Sequence, residues 1–114
     1  MSARIYVNPS CSKCRTALSL LADHDVKADT VRNLDEPPTV ADLRRLMGQL
    51  GIDDPLLMMR RGEPVYAELG LEDQAGDALL EAITRHPILL ERPIFVVGER
   101  AVVARPPERV LELL

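Results

Sequence analysis

Two cysteines stand where a short apolar run gives way to a helical stretch, and this junction constrains the fold more than any other feature of the chain. Ile5-Tyr6-Val7 reads as a strand. Cys11-Ser12-Lys13-Cys14 opens a run, Arg15-Thr16-Ala17-Leu18-Ser19-Leu20-Leu21-Ala22, that reads as a helix. A thiol at a helix N-terminus meets backbone N–H groups that lack helical partners, and the positive end of the helix dipole. Both favour the thiolate, which is the reactive form. A second cysteine one turn further along lies within reach for a disulfide. Cys-x-x-Cys at a strand-to-helix junction therefore points to redox or nucleophilic chemistry.

Two blander uses of the pair compete. Half of a structural zinc site needs two further ligands, and His24 and His86 are the other N/S donors in the chain. There is no second Cys-x-x-Cys and no His-x-His. Packing as two small buried hydrophobes runs against Pro9-Ser10 and Ser12-Lys13, which read as an exposed turn.

The order of elements extends the same picture. Residues 4–7 form a first strand, a helix follows to near Asp23, and residues 27–32 read as a second, less buried strand. Glu36-Pro37-Pro38-Thr39 then stops the chain and starts a helix, with Thr39 as N-cap and Asp42 three positions on. Leu43, Leu46, Met47 and Leu50 recur at helical spacing up to Gly51. Asp73 to about Arg85 is a further amphipathic helix, ended by His86-Pro87. Pro93-Ile94-Phe95-Val96-Val97 and Ala101-Val102-Val103-Ala104 read as strands joined at Gly98-Glu99, a hairpin signal. Pro106-Pro107-Glu108 opens a last helix. The order is β-α-β, a helical insertion over about 37–87, then β-β-α. Without the insertion this is the minimal thioredoxin arrangement, and the expectation is a single α/β domain over residues 1–114.

Composition narrows the partners. A chain of 114 residues, 46% hydrophobic, can bury a core. Its few aromatics, Tyr6, Tyr66 and Phe95, leave almost no platform for stacking bases. A net charge of −4 argues against binding a phosphate backbone over the whole surface. No apolar run is long enough for a membrane span. Met1-Ser2-Ala3-Arg4 reads as leading straight into a strand, and the expectation is no signal peptide. The expectation is a cytoplasmic protein with neither nucleic-acid nor membrane partners. In that compartment a cysteine pair is catalytic or redox-sensing more often than structural.

Asn8-Pro9-Ser10-Cys11 followed by Arg15, then Glu36-Pro37-Pro38, Arg60, Tyr66-x-x-Leu69-Gly70, His86-Pro87-Ile88-Leu89, Arg92-Pro93-Ile94 and Arg105-Pro106, resembles the arsenate reductase (ArsC-like) family, which also contains the Spx-type redox regulators. The resemblance implies a thioredoxin-like fold with a helical insertion. It implies that Cys11 is the nucleophile that attacks arsenate. Glutathione resolves the adduct as co-substrate, glutaredoxin reduces the product, and no cofactor or metal is held. Arg60, Arg92 and Arg105 map onto the three arginines that hold the oxyanion. Pro93 maps onto a cis proline that faces the cysteine, and Asn8 and Arg15 belong to the same motif.

Elementary chemistry agrees with that mapping. Arginine offers a planar fork that pairs two oxygens of a tetrahedral anion at once. Arg92 and Arg105 each precede a proline, which pushes a residue toward extended geometry. Arg61, beside Arg60, competes with it for the role. Asn8 can order the turn before Cys11 through an Asx-type bond. Ser10 and Ser12 read as helix caps, Lys13 as a solvated charge, and His86 as a helix end.

Two positions depart from the family. Plasmid-type enzymes carry His before Asn-Pro, where this chain has Val7, so Cys11 relies on the helix terminus and the arginines. Those enzymes also lack a cysteine at the place of Cys14. A Cys11–Cys14 disulfide allows recycling by thioredoxin. In the Spx-type regulators, which bind RNA polymerase, the same spacing is a redox switch. The leading expectation is thiol-dependent arsenate reduction, and the alternative is a redox-sensing regulator.

Overall fold

The computed structural model describes residues 2–114; Met1, where the reading for a signal peptide begins, lies outside the described residues. The sheet has four strands in the order β2-β1-β3-β4. They are β1 (Ala3–Val7), β2 (Asp29–Arg32), β3 (Ile94–Val97) and β4 (Arg100–Val103). Strands β1 and β2 are parallel, joined through helix α1 (Ser12–Asp23); β1–β3 and β3–β4 are antiparallel. This is the thioredoxin-like arrangement, and its helical insertion falls between β2 and β3.

Alternation along the strands sorts side chains into two cores, one on each face of the sheet. Ile5, Val7 and Phe95 turn toward α1 and meet Cys14, Ala17, Leu21 and Val110. Tyr6, Ile94 and Val96 turn the other way and meet the insertion through Leu43, Leu46, Leu79 and Ile83. Val7 is thus a core residue, which explains an apolar side chain at a position next to the reactive loop. Burying an aliphatic side chain of this size contributes roughly 1.5–3 kcal/mol. Strand β2, at the sheet edge, is mostly exposed, as its polar sequence predicts.

The insertion holds α2 (Val40–Leu50), α3 (Pro64–Glu68) and α4 (Asp77–Arg85), with 3-10 turns at Pro55–Met58, Leu71–Asp73 and Pro87–Leu89. Thr39 and Asp42 form the expected capping box, worth about 1 kcal/mol. Gly51, at φ +72°, ends α2 in the left-handed region. Three readings need correction, and one short helix went unread. Strand β2 begins at Asp29, two residues later than its alternation suggests. Helix α4 begins at Asp77, because Gly76 takes a positive φ of 58° and Leu71–Asp73 forms a separate 3-10 turn. Helix α3, which begins at Pro64, is too short for its periodicity to show. The C-terminal helix is a 3-10 helix, Pro107–Leu113. No helix among the described residues is long and apolar enough to cross a membrane.

Candidate active site

Three chain segments converge at one end of the sheet. Pairing of Tyr6 with Ile94, and of Ile94 with Val103, brings the exit of β1, the entry of β3 and the exit of β4 side by side. The Ala104 N–H continues the ladder to the Pro93 carbonyl at 2.8 Å. The Asn8-to-Cys11 loop, Arg92-Pro93 and Arg105-Pro106 are therefore neighbours. Both Arg92-Pro93 and Arg105-Pro106 are cis.

Cys11 is the N-cap of α1, a position usually held by Ser, Thr, Asp or Asn, whose side chain faces the second and third helical N–H groups. The loop before it is tied down locally. Asn8 Oδ1 accepts the Ser10 N–H at 2.9 Å, the Asx bond expected from the sequence. The Asn8 carbonyl accepts the Cys11 N–H at 2.9 Å. Arg15 Nη1 donates to the Pro9 carbonyl at 3.1 Å, so Arg15 braces the loop from the exposed side. Ser10 and Ser12 do not cap the helix; Cys11 stands in the capping position.

The two thiols differ in environment. Cys11 is partly exposed, whereas Cys14 is 1% exposed and packs in the core under α1. Partial burial opposes ionisation of Cys11. It is outweighed by the Cys14 backbone N–H, a bond from the Cys14 thiol, the Lys13 N–H and the charge of Arg105, and the Cys11 pKa falls below its ordinary value. Burial pushes the Cys14 thiol the other way, to about 11, helped by its bond to Cys11 and by repulsion from the Cys11 charge; the Asn8 N–H, 3.5 Å from Cys14 Sγ, and Arg92 oppose this. The fold thus biases Cys11 toward the thiolate and Cys14 toward the thiol.

The three predicted arginines form one linked cluster, of which Arg105 lies against the Cys11 thiol. Arg105 Nη2 lies 3.9 Å from Cys11 Sγ, and its Nε donates to the Arg92 carbonyl at 2.8 Å. Arg92 is 8% exposed, and its Nε and Nη1 are buried without a hydrogen-bond partner among the described residues. Arg60 reaches the cluster from the insertion because an antiparallel bridge pairs Met59 with Leu90. The Arg60 N–H bonds the Leu89 carbonyl and the Glu91 N–H bonds the Met58 carbonyl, which sets Arg60 against Glu91. Arg60, not Arg61, turns to the cluster, and Arg61 is exposed.

Two acidic residues in the cluster were not anticipated. Glu91 Oε1 lies 2.9 Å from Arg60 Nη1 and 3.0 Å from Arg105 Nε. Glu63 Oε1 lies 3.1 Å from Arg60 Nε. Burial alone lowers the Arg60 pKa, but these carboxylates raise it above its ordinary value. The available signal was adjacency: Glu63 follows Arg60 at i+3, and Glu91 directly precedes Arg92. His24 and His86 stand apart from the cysteines, at the ends of α1 and α4. Among the described residues no three His, Cys, Asp or Glu side chains gather in a way that could hold a metal ion.

A thioredoxin-like sheet with an ionisable cysteine at the first strand-to-helix junction, Arg105 beside it and Arg92 and Arg60 linked to Arg105, places the chain among thiol-dependent proteins of that fold. Comparison with known proteins narrows the class. The ArsC family matches residues 6–113, and the chain belongs to it. It is 43% identical over 113 residues to an arsenate reductase of Neisseria meningitidis, covering 97% of each chain. It is 42% identical to YfgD, an uncharacterized protein of Escherichia coli, over 97% of this chain and 95% of that one. A solved arsenate reductase from Vibrio cholerae superposes with a TM-score of 0.96 at 46% identity, covering 100% of this chain and 98% of the other.

Proposed function

We propose that this protein reduces arsenate, or a closely related tetrahedral oxyanion, by thiol chemistry at Cys11. The observation that carries this reading is the Arg92 side chain. A buried guanidinium with two N–H groups unpaired is costly, and it lies close enough to Cys14 to act on its ionisation. An oxyanion bound beside Cys11 supplies the missing acceptors. Arg105 and Arg60 complete the clamp, Asn8 and Arg15 hold the loop, and Pro93 leads β3 into the site.

The chemistry follows from the two thiols. The Cys11 thiolate attacks arsenic(V), an S–As bond forms, and one arsenate oxygen leaves as water after protonation. A second thiolate then attacks the Cys11 sulphur. An S–S bond forms, the electron pair of the S–As bond passes to arsenic, and arsenic(III) departs. The two thiols together lose two electrons and arsenic gains them. The second thiol is glutathione or Cys14. Once Cys11 sulphur is bonded to arsenic it carries no charge, so its repulsion, which adds to burial in raising the Cys14 pKa, is lifted. Cys14 thereby becomes more available at the moment a second thiol is needed. The disulfide is returned to thiols by glutaredoxin with glutathione, or by thioredoxin. The regulator reading gains no support from the site beyond the cysteine pair itself.

The test is arsenate-dependent consumption of reducing equivalents with either donor system, followed by mass spectrometry of the trapped protein. Turnover lost in Cys11→Ser and a modification on Cys11 are expected. A Cys11–Cys14 disulfide after arsenate alone assigns the second thiol to Cys14; a glutathione adduct on Cys11 assigns it to glutathione. Turnover unchanged in Cys11→Ser would sink the proposal.

A further inference from the structure

An anion already stands among the arginines, and the chain itself supplies it. Glu91 Oε1 meets Arg60 Nη1 at 2.9 Å and Arg105 Nε at 3.0 Å, and accepts the Arg92 backbone N–H at 3.3 Å. One carboxylate oxygen thus accepts from the Arg60 guanidinium and the Arg92 amide and ion-pairs with Arg105, whose Nε proton goes to the Arg92 carbonyl; an oxyanion's oxygen takes the same kind of cationic and amide surroundings. Glu63 neutralises Arg60 further, while the Arg92 side chain pairs with no carboxylate among the described residues.

We infer that Glu91 is a specificity-determining residue: an internal anion that holds the Arg60–Arg105 half of the clamp and that a substrate oxyanion must displace. The inference deepens the function proposed above and rests on it. Displacement sets a threshold. A simple monoanion offers Arg60 and Arg105 no more than Glu91 already gives, so the exchange gains it nothing. A tetrahedral oxyanion brings more charge and several oxygens, and it reaches the unpaired N–H groups of Arg92 in the same event. The displaced carboxylate has room to move. Glu91 lines a cavity of about 540 Å³ together with Leu57, Arg60 and Arg61, and exposed Arg61 offers it a cation there. This also gives Arg61 a purpose that does not compete with Arg60.

The contrary view is that Glu91 merely holds the two arginines in position. The views predict opposite signs for Glu91→Gln, which keeps size and removes charge. Calorimetric titration with inorganic phosphate and with arsenate, at low salt, should give dissociation constants about tenfold lower than in the parent protein, the scale of one charge-assisted contact. Chloride and acetate should compete better in the variant. Arg105 also faces Cys11, so the pH midpoint for Cys11 alkylation should fall in Glu91→Gln. Glu63→Gln frees only Arg60 and should leave that midpoint in place. Unchanged or weaker anion binding in a folded Glu91→Gln overturns the inference. Should that variant not fold, Glu91→Asp, whose shorter arm withdraws the carboxylate from one arginine, carries the same expectation in smaller measure. If the parent binds anions through Arg92 but Glu91→Gln binds no tighter, the inference alone falls. If neither protein binds an oxyanion, the proposed function falls with it.

Discussion

Arg105 places its Nη2 3.9 Å from the Cys11 sulphur while its Nε is held by the Arg92 carbonyl at 2.8 Å. The guanidinium is anchored at one end by backbone, so its charge stays beside the thiol. A fixed charge favours the thiolate at a smaller entropic cost than a freely moving side chain. Limiting iodoacetamide near neutral pH should therefore modify Cys11 well before Cys14. Arg105→Ala should slow the Cys11 reaction at pH 7 severalfold and move its pH midpoint upward. Faster labelling of Cys14, followed by peptide mapping, would reverse the assignment of the nucleophile.

Cys14 gives stability a measurable pH dependence. Its folded-state pKa is raised to about 11, with burial the main cause, against about 8.5 for an unfolded cysteine. The folded chain keeps the proton where the unfolded chain has lost it. The contribution is complete below about pH 8.5 and is lost as pH rises toward 11. Cys11, lowered in the fold, behaves oppositely: its contribution is present above the unfolded value and is lost as pH falls through the folded one. Urea midpoints measured from pH 8 to 10.5 should decline more steeply for the parent than for Cys14→Ala. Equal slopes would show that Cys14 is not held as the thiol.

The division between what the sequence reveals and what it conceals follows the range of the interactions. Thr39 with Asp42, and Asn8 with Ser10, act within a few residues, and both were legible as capping and Asx patterns. The strands were legible because alternation in Ile94-Phe95-Val96 reports which face is buried. That Cys14 lies deeper than Cys11 was legible from its place one turn into the helix, but its full burial was not. Its polar neighbours Ser12 and Lys13 are exposed, yet the third helical position turns inward beneath them. The Glu91–Arg60 pair was also concealed, since it spans 31 positions and depends on the Met59–Leu90 bridge. The arginines themselves were reached through resemblance to a family, and composition alone gave no reason to prefer Arg60 to Arg61.

Asn8 ties the reactive loop together from a buried position. Its side chain accepts the Ser10 N–H at 2.9 Å, while its backbone serves both cysteines. Asn8→Ala removes the side-chain bond to the Ser10 N–H, a donor that water can reach, which should cost about 0.5–1.5 kcal/mol. Because the loop sets where Cys11 enters α1, the variant should also lose thiolate character at Cys11. Thermal melts combined with alkylation rates check both effects. A variant as stable and as reactive as the parent would show that the loop is set by its backbone alone.

Arg92 offers the sharpest test of the anion clamp. Its guanidinium is buried, and Nε and Nη1 lack partners among the described residues. Lysine keeps the charge but replaces the planar fork with a point donor. If the unpaired N–H groups serve an oxyanion, Arg92→Lys should weaken arsenate and phosphate binding by about tenfold or more, the scale of one charge-assisted hydrogen bond lost. Arg60→Lys should lose less, because Arg60 already shares its donors with Glu63 and Glu91. Arg61→Lys, on an exposed side chain that keeps its charge, should change binding little. Titration calorimetry on the three variants, with melting temperatures to confirm folding, orders them directly. Equal losses in all three would mean that a diffuse positive field attracts the anion, and that Arg92 is buried for reasons of packing.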